Sequence, residues 1–251
     1  GVPLVPDTAW DCHGVYTGST VVEDDRLAVI YTGNVKVDGQ HDFIHTGREA
    51  NVIRIDRYPD GTWSPKRLLL SWQDYPSFCT RHVRDPKVWR QGHEWFMVTG
   101  ARRQDDQGMV LLWRSDDGEQ WHFKSVITSE EAFGYMWECP DLFRLDGHWF
   151  LSFSPQGVTR EQDRRQNIYL SGYIPMKGGE DPCTAELDGD FVDWDYGFDF
   201  YAPQTFETRD GRRILFGWAG MADADAEYTV PTAAEGWQHM LTVPREVTLH
   251  E

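Results

Sequence analysis

The sequence has no apolar run approaching the ~20 residues of a membrane-spanning helix and no signal-like opening. It is poor in positive charge: 24 Lys and Arg stand against 41 Asp and Glu, a net charge of −17, and no Lys/Arg run occurs. That deficit argues against a nucleic-acid partner, whose phosphates need a basic footprint, and against an anionic membrane surface. Cysteine is scarce. Cys12, Cys79, Cys139 and Cys183 are scattered without a Cys-x-x-Cys pair, so neither a zinc site nor a dense disulfide framework is expected. Reduced thiols in a cytoplasmic protein are the default reading. Helical periodicity is scarce as well. The chain does not begin with Met, and its opening Gly1-Val2-Pro3-Leu4-Val5-Pro6 reads as the middle of something longer.

What is present is β-type sequence. A chain of 251 residues can bury a sizeable core as one large or two small domains. Short apolar runs dominate: Leu27 to Tyr31, Asn51 to Ile55, Trp95 to Thr99, Met109 to Trp113, Trp149 to Phe153, Asn167 to Tyr173 and Ile214 to Trp218. Between them stand Asp60-Gly61, Asp117-Gly118, Asp146-Gly147 and Asp210-Gly211. Asp-Gly between such runs is a strong hairpin signal, because both residues tolerate the left-handed backbone of a tight turn. An all-β chain with little room for helix is expected. The 12 Trp suit core packing first and aromatic faces against sugar rings second.

The β pattern repeats. Arg84-Asp85-Pro86-Lys87-Val88-Trp89 leads through Gly92 into Trp95 to Gly100; Glu138-Cys139-Pro140-Asp141-Leu142-Phe143 leads through Gly147 into Trp149 to Phe153. Tyr201-Ala202-Pro203-Gln204-Thr205-Phe206 leads through Gly211 into Ile214 to Trp218, and a looser copy without proline begins at Thr17-Gly18-Ser19-Thr20. A strand–turn–strand unit at a period of about 50 residues, followed each time by more strand material, is the signature of propeller blades. Radial packing puts the first strand of each blade on the central channel. Ser19, Asp85, Glu138 and Tyr201, at the entrances to those strands, are therefore expected around one funnel. One conflict stands out: Asp85 directly precedes its proline whereas Glu138 stands two before its own. By the period-two alternation of a strand they face opposite ways unless a bulge intervenes.

Glu138 carries the most suggestive local chemistry. It lies in Gly134-Tyr135-Met136-Trp137-Glu138-Cys139-Pro140 between mostly apolar neighbours. If buried there, its charged form is disfavoured and its pKa is raised, as a general acid near neutral pH requires. The competing reading is a buried structural carboxylate, as a turn or cap residue before proline is for Asp85.

Arg84-Asp85-Pro86 and Glu138-Cys139-Pro140 resemble the paired motifs of the glycoside hydrolase family 32 fructosidases, which include invertases and bacterial sucrose or sucrose-6-phosphate hydrolases. Tyr16-Thr17-Gly18-Ser19, Tyr31-Thr32-Gly33-Asn34, Phe198 to Gln204, Gly217-Trp218 and the stretch from Pro231-Thr232 to Arg245-Glu246 are similar to further motifs of the family, in the same order. The resemblance implies a five-bladed β-propeller, of which this chain represents about four blades (1–66, 67–128, 129–185 and 186–251), without the C-terminal β-sandwich of the family. It implies retaining hydrolysis of terminal β-fructofuranosyl bonds with no metal or organic cofactor. Glu138 would be the acid/base, and Asp85 would hold sugar hydroxyls and stabilise the transition state. Arg84 would position Asp85 and the sugar. Tyr16, Thr17, Ser19, Tyr201 and Trp218 would shape the substrate site, and Cys139 would tune Glu138.

The family's nucleophile is an Asp in an Asn-Asp-Pro-Asn-Gly motif of the first blade, and that motif does not occur here. Gly1 to Asp7 matches the segment that comes after that blade in the family. The expectation is therefore a piece of such an enzyme, with a missing N-terminal blade or a partner segment closing the propeller. Asp7 and Asp11 are weak substitutes. Sucrose, sucrose-6-phosphate and short fructans stay open as substrates. A phosphate would need a cationic contact, for which Arg81, His82, Arg102 and Arg103 are the candidates. An arabinanase-like glycosidase and a non-catalytic sugar-binding propeller are the rival readings.

Overall fold

The computed structural model describes residues 4–224 and 230–250; Gly1, Val2 and Pro3 of the motif match at the N-terminus lie outside the described residues, as does Glu251. The described residues form four antiparallel sheets. The first holds β1 (Val15–Glu23), β2 (Arg26–Lys36), β3 (Arg48–Arg57) and β4 (Arg67–Leu70) in that order. The second holds β5 (Cys79–Gln91), β6 (Glu94–Arg103), β7 (Gly108–Ser115) and β8 (His122–Ile127). In the third, β9 (Met136–Leu145), β10 (His148–Gln156) and β11 (Gly172–Lys177) run in sequence, and both β12 (Glu186–Leu187) and β13 (Val192–Asp193) pair with β11. In the fourth, β14 (Tyr201–Glu207) pairs with β15 (Arg213–Ala219), which carries both β16 (Met240–Leu241) and β17 (Arg245–Val247). The described helical residues are two short 3-10 turns, Pro182–Thr184 and Pro231–Glu235, and none is long and apolar enough to cross a membrane.

The sheets are blades of a β-propeller. The first strands pack side by side, β1 beside β5, β5 beside β9 and β9 beside β14. Two boundaries expected from the repeat are corrected. The first sheet runs to Leu70 and the third to Asp193, because β4 and β13 complete their own sheets and the repeat motif marks only where each inner strand begins. The run Asn167 to Tyr173 is also mostly not strand. β11 starts at Gly172, and the earlier residues touch the sheet through one bridge between Tyr169 and Gln156.

Period-two alternation decides which faces meet. In β6 and β7, Phe96, Val98, Val110 and Leu112 pack toward the third sheet, with Trp137, Leu151 and Phe153. Their alternate neighbours Met97, Ala101, Met109, Leu111 and Trp113 pack toward the first sheet, with Ile30, Val52 and Leu70. An inner blade is thus apolar on both faces, which is why these strands read as unbroken apolar runs. The Asp-Gly pairs occupy connections between paired strands. At Asp146-Gly147 both residues take left-handed backbone, φ 49 and 86, the geometry of a two-residue hairpin turn.

Gly100 marks the closest approach of two blades. A Cβ there would stand 2.0 Å from the backbone oxygen of Trp137. Gly100→Ala is expected to cost about 2–3 kcal/mol and lower the melting temperature by about 5–10 °C. A thermal melt indistinguishable from that of the parent would refute the close approach.

Candidate active site

The same irregularity occurs where each inner strand enters the channel. Pairing between β5 and β6 passes from Arg84–Gly100 to Lys87–Val98, so two residues oppose one. It does so again from Glu138–Ser154 to Asp141–Ser152, from Tyr201–Trp218 to Gln204–Phe216, and in the first sheet from Val15–Gly33 to Gly18–Tyr31. Each is a β-bulge. In three of them the extra pair is a residue in left-handed backbone followed by proline: Asp85 at φ 63, Cys139 at φ 49 and Ala202 at φ 50. Proline has no N–H to lose from the ladder at such a position.

The bulge settles the parity conflict in an unexpected way. The residue equivalent to Glu138 in the preceding blade is Arg84, not Asp85, and in the following blade it is Tyr201. These three side chains meet. Arg84 donates from Nε and Nη2 to Glu138 Oε1 at 2.9 and 2.7 Å, and the Tyr201 hydroxyl donates to Oε2. Glu138 keeps an open side, its side chain 16% exposed. The apolar neighbours expected to enclose it turn elsewhere, since Trp137 stacks on Phe153 with ring centroids 4.2 Å apart.

Asp85 sits one position deeper, aligned with Cys139. Its own N–H bonds to Thr32 Oγ1 at 2.8 Å, and its Oδ2 accepts the Cys139 N–H at 2.9 Å and lies 3.6 Å from the Cys139 sulfur. Cys139 therefore acts on Asp85, whereas Glu138 takes its direct partners from Arg84 and Tyr201. Burial pushes Asp85 up to about 6, with the Arg84 charge opposing and Glu138 adding to the rise. Burial, then Asp85 and Glu138, hold the Cys139 thiol well above its ordinary range, so it stays protonated. Burial works against the Arg84 charge, but the carboxylates of Glu138 and Asp85 outweigh it and raise that guanidinium above its usual value.

His82 orients Arg84. Its Nδ1 receives Arg84 Nη1 at 3.0 Å while its Nε2 donates to the Phe43 carbonyl at 2.9 Å. Burial and the neighbouring charges of Arg84 and Arg48 push His82 down to about 3, which keeps the ring neutral, as that pair of bonds requires. Thr17 lies beside the Cys139 thiol. Tyr16, 38% exposed, stands on the rim near Arg48. Trp218 pairs with Tyr201 across β14 and β15, with ring centroids 6.5 Å apart.

Ser19 is the exception among the expected site residues. Its hydroxyl donates to the Pro86 carbonyl and accepts the Val88 N–H, both at 2.9 Å, so it clips β1 to β5 rather than facing Glu138. Asp11 is consumed as well: Thr8, Tyr31 and Lys66 surround a wholly buried carboxylate, and Lys66 also holds Asp7 at 2.5 Å. Sequence reading gave no role to Thr32, which bonds Asp85, to Arg48, to Tyr169, whose ring centroid lies 5.7 Å from that of Tyr201, or to Tyr135, the hydrogen-bond partner of Tyr169. Tyr135 stood in the stretch around Glu138. Arg48 carried no local signal, since it follows a turn-rich loop far from either motif.

Propeller blades that gather a carboxylate, a guanidinium and a phenol at one mouth, above a second buried carboxylate, define a propeller of the glycoside hydrolase type. The family model described as glycosyl hydrolases family 32 N-terminal domain matches residues 1–251, and the chain belongs to that family. It is 41% identical over 254 residues to the sucrose-6-phosphate hydrolase of Bacillus subtilis (strain 168), a match covering 99% of this chain and 50% of that protein. The structure of sucrose-6-phosphate hydrolase from Lactobacillus gasseri matches with a TM-score of 0.85 at 25% identity, covering 98% of this chain and 49% of that one. A mutant Bombyx mori GH32 beta-fructofuranosidase in complex with sucrose matches with a TM-score of 0.79 at 36% identity, covering 94% and 48%. The chain spans about half the length of the curated relatives it matches.

The environment of Asp85 has a consequence for stability. Its folded-state pKa of about 6 lies above the ordinary 3.8, so folding favours the protonated form. That contribution is complete below about 3.8 and lost as pH rises through about 6. Asn keeps an acceptor for the Cys139 N–H without the charge. Asp85→Asn is therefore expected to raise the melting temperature by about 5 °C at pH 7.5 and to lose that gain at pH 4. An equal effect at both pH values would sink this account.

Proposed function

We propose that this chain provides the proton-transferring and fructosyl-holding part of a retaining β-fructofuranosidase acting on sucrose or its 6-phosphate. The observation that carries the reading is the meeting of Arg84, Glu138 and Tyr201 from equivalent bulge positions over Asp85. Glu138 acts first as general acid, giving its proton to the glycosidic oxygen, and then as general base, activating the water that releases fructose. Arg84 and Tyr201 fix its carboxyl in place. Ionised Asp85 stabilises the oxocarbenium character of the transition state from below, and Cys139 orients it. Tyr16, Thr17 and Trp218 shape the mouth. The names of the relatives support the substrate class.

A retaining mechanism needs a carboxylate nucleophile roughly 5–5.5 Å from the acid/base. Among the described residues Asp11 and Asp7 are committed to Lys66, so the reading assigns the nucleophile to a further strand set, from the same protein or a partner. A cavity of about 660 Å³ is lined by all four inner strands, with Val22 of β1, Lys87 of β5, Asp141 of β9 and Phe206 of β14 on its wall. The four free cysteines accord with a cytoplasmic setting.

Fructose release from sucrose and sucrose 6-phosphate by the protein at the full length of its relatives tests the proposal. Glu138→Gln is expected to lower kcat by about 10²–10⁴-fold while the substrate still binds. A parent protein that binds these sugars without turning them over would transfer the reading to a sugar-binding propeller.

A further inference from the structure

The four cations picked out as phosphate contacts are mostly engaged elsewhere. His82 is neutral and orients Arg84. Arg102 pairs with Asp106 at 2.6 Å and covers Tyr135, and Arg103 pairs with Asp105. Arg81 lies 3.4 Å over the Trp72 ring. Arg84 is spent on Glu138. Arg48 differs from all of these. It is half-buried and its side chain forms no ion pair or hydrogen bond among the described residues; its Nε is enclosed without a partner, as is Nη1 of Arg81, but Arg81 is stacked on Trp72 and bonds the His45 carbonyl through Nε.

Its position is held. Arg48 opens β3 directly after the 37–47 loop, which is closed by Val37 N–H to Gly47 O at 2.8 Å. That loop is anchored on β5 by Arg81 N–H to Ile44 O at 2.7 Å and by His82 Nε2 to Phe43 O at 2.9 Å. The same His82 orients Arg84, so loop, Arg48 and Glu138 share one support. Burial and the Arg84 charge lower the Arg48 pKa from its usual value, with Tyr16 and Glu138 pulling the other way. Arg48 is therefore in electrostatic reach of Glu138. A half-buried guanidinium without a carboxylate is costly to keep, especially in a chain of net charge −17 that offers abundant carboxylates.

We infer that Arg48 is a specificity-determining residue that binds a phosphate monoester carried by the leaving sugar. This rests on the hydrolase reading: with the fructosyl unit over buried Asp85, the leaving sugar lies outward from Glu138, on the side of Tyr16 and Arg48. The planar guanidinium fork suits a phosphate, which takes two parallel N–H bonds from it. In an acidic protein that repels anions overall, such a local cation is what admits a sugar phosphate. A plain disaccharide leaves the guanidinium unpaired.

The test compares the parent with Arg48→Gln and Arg48→Lys in the full-length protein. The readouts are kcat/KM for sucrose 6-phosphate relative to sucrose, and calorimetric binding of glucose 6-phosphate, glucose and inorganic phosphate. Arg48→Gln is expected to lower the ratio about 10- to 100-fold and to weaken glucose 6-phosphate binding by a similar factor, with Arg48→Lys between. An unchanged ratio, or equal losses on both substrates, would overturn the assignment. Inorganic phosphate binding as tightly as glucose 6-phosphate would overturn it too, marking a free-anion site. If no variant or parent releases fructose, the hydrolase reading fails, and Arg48-dependent binding of glucose 6-phosphate still decides the phosphate site.

Discussion

The site depends on one backbone constraint: the bulge before proline in three inner strands. Holding Asp85, Cys139 and Ala202 in left-handed backbone costs about 1–3 kcal/mol at each residue. The packed cores between neighbouring blades over-determine the geometry and offset that cost. Each bulge shifts the alternation of its strand, so that Arg84, Glu138 and Tyr201 project to a common point while the next residue turns into the neighbouring blade. Without it, the four inner strands would present their side chains in simple alternation and the carboxylate of Glu138 would have no guanidinium beside it.

Interblade hydrogen bonds arise from the same feature. The bulge frees N–H groups from the ladder, and those of Asp85 and Cys139 are taken up by Thr32 and Asp85, each in the blade before. A tier deeper, Lys87 bonds to Asp141 Oδ2 at 3.1 Å and to the Thr205 carbonyl at 2.5 Å, while Thr205 gives both its N–H and its hydroxyl to Asp141 at 2.7 Å. Three inner strands are thereby tied at the level below Glu138. Sites need this kind of support, because a carboxylate held by long, unsupported side chains would sample too many orientations to deliver a proton.

Charge at the mouth is arranged by burial. Arg84 is stabilised as a cation by two carboxylates, His82 is denied its proton by burial and then by two arginines, and Asp85 is driven toward protonation by its depth. These shifts are mutually dependent: neutral His82 can accept from Arg84, and burial, reinforced by the charges of Arg84 and Arg48, keeps it neutral. Removing any one charge therefore alters the others, and effects of paired substitutions here are expected to be non-additive.

Much of the architecture was legible in the residues themselves. Apolar runs, Asp-Gly turns and the period of the Pro-containing motif define strands, hairpins and blades, because strand alternation and turn backbone are local properties. The same motifs singled out Glu138, Asp85, Arg84 and Tyr201, and they located the site at the inner-strand entrances. The partnerships were decided only by the tertiary structure. The contact between Arg84 and Glu138 spans 54 positions in the chain and exists because two bulges in adjacent blades bring equivalent positions to one point. Alignment on the prolines pairs Arg84 with Glu138; matching the two carboxylates instead is what created the parity conflict, and only the bulge register resolved it. Ser19 became an interblade clip, and Arg48, without any motif of its own, came within electrostatic reach of Glu138 because the loop before it is anchored on β5. Period and turn chemistry act over a few residues and can be read in order; the partners of a buried charge depend on which blades pack together, and that is a property of the assembled fold.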